Sequence, residues 1–129
     1  MQPHARTTQR PPPVEVDIHG SGVAVVALRG EHDLSTQEEV AQALARAGDS
    51  PGVLVDLSEC TFMDSSLIAE LVRTSRGLET RDRRLELVIP TDAHIVQRIA
   101  KLTHIASLIP THETREAALA ALHGRLAEA

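Results

Sequence analysis

Residues 53–71, VLVDLSECTFMDSSLIAEL, decide how this chain folds. Val53, Leu54, Val55 and Leu57 form a nearly continuous aliphatic run. Such a run suits a strand covered on both faces, as in a parallel sheet. A short turn follows, and Leu67, Ile68, Leu71, Val72 and Leu78 then recur at helical spacing on one side. Asp64, Ser65 and Ser66 stand where the turn becomes the helix. A hydroxyl there lies at the positive end of the helix dipole, beside free backbone N–H groups. Such a place favours an anion, and phosphorylation turns a serine into one. From these residues alone two compatible readings stand: Ser65 or Asp64 caps the helix, or Ser65 is a modification site.

Upstream, Val14, Val16 and Ile18 alternate with Glu15 and Asp17, the period-two pattern of a half-buried strand. A turn at residues 19–22 leads to an apolar strand over 23–28, so the pair reads as an antiparallel hairpin. Residues 30–34 then leave the sheet. Ser35 and Glu38 have the spacing of a capping box, opening a helix that runs through Val40 and Leu44 to Ala47, with Gly48 as C-cap. Downstream, residues 81–84 read as a charged loop and residues 85–89 as a strand stopped by Pro90. Thr91 or Asp92 is expected to cap a helix burying Ile95, Val96, Ile99 and Leu102. Residues 105–109 read as a short last strand ended by Pro110. Residues 113–127 read as a final helix with Ala118, Leu119, Leu122 and Leu126 inward. The alternation predicts an α/β domain over residues 14–127: a small mixed, mostly parallel sheet begun by an N-terminal β-hairpin, with helices mainly on one face. Residues 1–13, with three consecutive prolines, read as a flexible tail.

Composition narrows the function. Net charge is −5, Phe62 is the one aromatic among Phe, Trp and Tyr, and Cys60 is the one cysteine. The charge and the lack of stacking residues argue against a nucleic-acid surface. No apolar run approaches the ~20 residues of a membrane span, and no apolar signal core opens the chain, so a cytoplasmic protein is expected. The seven histidines show no metal-ligand spacing. Dinucleotide-binding, P-loop and Gly-x-Ser-x-Gly patterns are absent, so no cofactor and no hydrolase nucleophile is expected.

Two motifs together resemble a known family. Phe62-Met63-Asp64-Ser65-Ser66 resembles the phosphorylation motif of the STAS domain of bacterial anti-sigma-factor antagonists. Residues 26–34, VALRGEHDL, resemble the same family's second strand and its Gly-Glu-x-Asp turn. The resemblance implies that Ser65 is the phosphoacceptor. It also implies that the turn carrying Glu31 and Asp33 joins Asp64, Ser66 and Leu67 on a partner-binding surface. Asp64 is then expected to orient the Ser65 hydroxyl or a kinase-bound metal, and Ser66 to position the backbone or act as a minor acceptor. The chain departs from the family at Leu67, where glycine is usual. Leu67 packs inward and changes nothing, or meets a partner adapted to it, or marks a chain in which phosphorylation is weakened or lost. The resemblance further implies a binding module with no catalysis of its own. Its partners would be an anti-sigma factor that is also an ATP-dependent serine kinase, and a phosphatase that resets the switch. A constitutive interaction subunit of the same fold, in a signalling scaffold or a lipid-transport complex, is the alternative. A phospho-aspartate receiver would need a lysine after the last parallel strand, and Lys101 is not placed there. Oligomeric state is left open.

Overall fold

The computed structural model describes residues 11–128, with side chains through residue 125. Residues 1–10 of the tail expected over residues 1–13, and the inward side expected for Leu126, lie outside the described residues. Five strands make the main sheet: β1 (Val14–Ile18), β2 (Ala24–Leu28), β4 (Gly52–Asp56), β6 (Arg84–Val88) and β7 (Thr111–His112). Their order is β1-β2-β4-β6-β7. β1 runs antiparallel to β2, and every other pair is parallel. Four α-helices cover the sheet: α1 (Gln37–Ala47), α2 (Ser65–Glu79), α3 (His94–Thr103) and α4 (Arg115–Glu128).

The aliphatic runs explain this arrangement. β2 and β4 are buried along their whole length. Ala24, Val26, Leu28, Val53, Val55 and Leu87 point into a large core shared with α1, α2 and α3. Val25, Leu54 and Val88 point the other way, where Ala118 and Leu122 of α4 close a smaller core. The three crossover helices therefore share one face, as same-handed crossovers along a sheet built outward in one direction require, and α4, which follows the last strand, covers the other. Gly22 sits in the hairpin turn at φ +95, a conformation that favours glycine.

Several local expectations change. Residues 30–34 do not simply leave the sheet: β3 (Gly30–His32) pairs in parallel with β5 (Cys60–Met63) as a separate two-stranded ribbon. Gly30, at φ +78, turns the chain from β2 into β3. The capping box at Ser35 is not formed. Asp33 caps a 3-10 turn at Leu34–Thr36, and α1 continues from it with no side-chain cap at Thr36. Neither Thr91 nor Asp92 caps α3, whose N-cap is Ala93. Gln97 instead reaches back to the carbonyls of Ile89 and Pro90, at 3.0 Å each. Residues 105–109 are not a strand. Ile105–Ser107 is a 3-10 turn, the N–H of Ile109 bonds the carbonyl of Ile105, and both isoleucines are buried. The last strand is β7, after Pro110. In α3, Val96 is buried and Ile99 is half-buried, whereas Ile95 and Leu102 face solvent.

Candidate functional site

The β3–β5 ribbon builds the site. His32 lies opposite Met63, and the N–H of Asp64 donates to the carbonyl of His32 at 3.1 Å. Asp33 and Asp64 therefore leave the ribbon side by side. His32 is fully buried, with Nε2 3.0 Å from the carbonyl oxygen of Arg29 and Nδ1 3.0 Å from Thr36 Oγ1. It ties the end of β3 to the turn that carries Asp33.

Both aspartates use one carboxylate oxygen in the same way. Asp64 Oδ1 accepts from the N–H of Ser66 at 2.9 Å, from the Ser66 hydroxyl at 2.6 Å and from the N–H of Leu67 at 3.2 Å. Asp33 Oδ1 accepts from the N–H and the hydroxyl of Ser35, at 2.8 and 2.5 Å. At the end of β4, Asp56 Oδ1 grips Ser58 through the same two groups. Asp-x-Ser thus recurs where β3, β4 and β5 end. The Ser66 hydroxyl holds the Asp64 carboxyl below the usual carboxylate range, and the amides of Leu67 and Ser66 add to this. The Ser35 hydroxyl does the same for Asp33, while the nearby charge of Asp64 opposes it. Two ionised carboxylates thus flank the helix start.

Ser65 is the first residue of α2 and is exposed. No described group bonds its hydroxyl: Asp64 is the N-cap of α2, one of the readings open for it, and its carboxylate grips Ser66 and not Ser65. The Ser66 hydroxyl hydrogen is engaged by Asp64. Leu67, expected on the docking surface, is 3% exposed and packs into the main core with Leu71 and Leu78. Of the alternatives open for Leu67, the inward-packing one is observed. Glu31 is exposed on β3, opposite Phe62 of β5. Phe62 and Leu34 are large apolar side chains left exposed beside the two aspartates in the chain. Both belong to the two motifs that carry the family resemblance, but their exposure was not expected from the sequence. The available signal was an aromatic and a leucine, each adjacent to or near a site residue, inside segments too short to form a core face.

Burial pushes the Cys60 thiol up to about 11, so it is inert as a nucleophile. Among the described residues no helix is long and apolar enough to cross a membrane.

Comparison with known proteins agrees with this geometry. The family described as "Mlab, STAS domain" matches residues 7–110. An anti-sigma factor antagonist from Mycobacterium paratuberculosis superposes with a TM-score of 0.77 at 27% identity, covering 85% of this chain and 92% of that one. An anti-sigma-factor antagonist (STAS) domain protein from Planctomyces limnophilus gives 0.70 at 25% identity, covering 85% and 97%. The Bacillus cell fate determinant SpoIIAA in its phosphorylated form shares the fold, with a TM-score of 0.63 at 19% identity over 84% and 97% of the two chains. A search of curated protein sequences found no match. With four-fifths of its length matched and the strand order, the ribbon and the serine-headed helix in place, the chain belongs to the STAS-domain family.

Proposed function

We propose that this protein is an anti-sigma-factor antagonist whose binding is switched at Ser65. Unmodified, it captures an anti-sigma factor that is also a serine kinase, and so frees a sigma factor. The observation that carries this reading is the contrast between neighbouring hydroxyls. Ser65 is exposed and unbonded among the described residues, whereas Ser66 is held by Asp64. In the reaction the Ser65 oxygen attacks the γ-phosphorus of ATP. The new Oγ–P bond forms as the bond to the bridging oxygen breaks, ADP leaves, and the hydroxyl proton passes to solvent or the kinase. The protein is the substrate in this step. A phosphatase reverses it by hydrolysis.

The product carries about −1.5 to −2 charges where a neutral hydroxyl stood. Asp33 and Asp64 already make the surroundings negative, so a partner fitted to the hydroxyl meets a concentrated anion. An unpaired charge buried at an interface costs several kcal/mol. Each ~1.4 kcal/mol is a factor of ten in affinity. No refolding is needed. Leu67 does not weaken the reading, because its bulk points into the core and leaves the approach to Ser65 open.

The experiment is incubation with the cognate anti-sigma kinase and ATP, followed by peptide mapping and binding assays. One phosphate at Ser65 is expected, with capture retained by Ser65→Ala and lost by Ser65→Asp. Equal capture by the two variants, with no mass gain, would instead mark a constitutive interaction subunit.

A further inference from the structure

We propose that the outward side of α3 is a docking surface for an acidic amphipathic helix on a partner protein. Val96 and Ala100 anchor α3 to the core. Ile95 and Leu102, two turns apart, lie on another side and are 60% and 74% exposed. Leu108, at the end of the 3-10 turn that packs against α3, is exposed too. His94, Arg98 and Lys101 follow the i, i+4, i+7 pattern, so they form one exposed stripe next to the apolar one. Among the described residues neither Arg98 nor Lys101 forms an ion pair. Glu113 borders the same shallow depression as His94, Arg98 and Lys101 and is the one acid lining it.

The charge selects the occupant. On a chain of net charge −5, two neighbouring cations without ion-pair partners among the described residues, Arg98 and Lys101, run against the average. It is matched by acidic residues along one flank of a helix whose apolar residues cover Ile95 and Leu102. An anionic membrane fits less well. α3 has ten residues, the chain has neither Trp nor Tyr, and its net charge is repelled by the leaflet that would attract the stripe. A second copy meeting face to face would set the same cations against each other. This surface does not depend on Ser65 and stands even if that serine is never modified.

The test is titration of the isotope-labelled chain with a synthetic helical peptide of about four turns. The peptide carries leucines on one face and glutamates along one flank. A twin with lysine for glutamate and phosphatidylglycerol vesicles are run alongside, with sedimentation of the protein alone. The acidic peptide is expected to shift amide signals within residues 94–108, and the lysine twin to leave them in place. Binding should weaken about tenfold or more in Arg98→Glu/Lys101→Glu and in Ile95→Asp/Leu102→Asp, since tenfold is the loss of one modest contact. These side chains are exposed, so melting and circular dichroism should stay at wild-type values. The proposal is overturned by any of the following: no shift at millimolar acidic peptide, equal shifts from the twin, shifts that survive both variants, vesicle binding in place of peptide binding, or self-association through α3.

Discussion

Ser65 and Ser66 are identical side chains on consecutive residues, and one carboxylate gives them different roles. By accepting from the Ser66 hydroxyl and from the amides of Ser66 and Leu67, Asp64 supplies the anion that the start of α2 favours. A phosphate on Ser65 therefore finds those two amides occupied and two carboxylates beside it. The same bonding makes Asp64 a stabilising residue with a defined pH signature. Its folded pKa lies below the ordinary value of about 3.9, first through the Ser66 hydroxyl and then through the amides. A lowered folded pKa adds stability that is present above the unfolded value and is lost as pH falls through the folded one. Asp64→Asn keeps a capping acceptor but no charge, so it should melt below wild type at neutral pH and converge with it below about pH 4. Asp64→Ala should cost about 1 kcal/mol at pH 7 in urea unfolding, the usual loss for an N-cap. A gap between wild type and Asp64→Asn that stays constant into acid would show that the carboxylate's charge is not what Ser66 and the helix start respond to.

Elements differ in how much of them their residues announce. Residues 53–57 and 85–89 are aliphatic enough to be read as covered strands, and the start of α2 at Ser65 follows from an aspartate and serines preceding a helical pattern. That much of the site is local. The approach of Asp33 to Asp64 is not, because it depends on β3 and β5. These are segments of three and four residues with no clean alternation, paired only through the tertiary fold. Residues 105–109 failed for another reason. Two isoleucines four apart fit one side of a helical turn as well as they fit the ends of a strand. The hidden pairings also include the anchors of α4. Glu86 of β6 is fully buried and bonds both His112 of β7 and Arg125 of α4, while Arg115 clamps Asp56 at 2.6 Å. The two partners of the Glu86 pair are unequally hidden, since Arg125 is 38% exposed. Arg125→Met leaves a buried carboxylate with His112 alone and should cost about 2–3 kcal/mol, below the ~3–5 of a fully buried pair. Glu86→Gln leaves Arg125 and His112, whose side chains both reach water, and should cost only about 1 kcal/mol. Urea unfolding of both variants decides this, and a larger loss for Glu86→Gln would reverse the assignment of which partner is buried without recourse.

At the scale of the whole molecule the sheet has unequal covers, and the inequality separates the helix headed by Ser65 from α4. The serine-headed helix rests on the large core, with Leu67, Leu71 and Leu78 inserted beside residues of α1 and α3. α4 stands alone on the opposite face. There Ala118 and Leu122 are its buried apolar residues among those described, Leu119 is half-buried, and two arginine–carboxylate pairs complete the attachment. Apolar burial of that size is small beside what holds α2, so α4 depends more on charge. Its arginines are 45% and 38% exposed, which leaves the pairs open to screening. Raising salt to about 1 M shortens the Debye length to ~3 Å. Amide hydrogen exchange should then speed up in α4 through a local opening. The amides of α2, held by contacts that salt does not weaken, should keep their protection. Exchange that rises equally in both helices would mean that the two covers open together, and α2 could then not present a fixed Ser65 while the far side of the sheet loosens. Exchange confined to α4 would place the Ser65 hydroxyl on the rigid side of the molecule, as the proposed switch, acting through charge alone, requires.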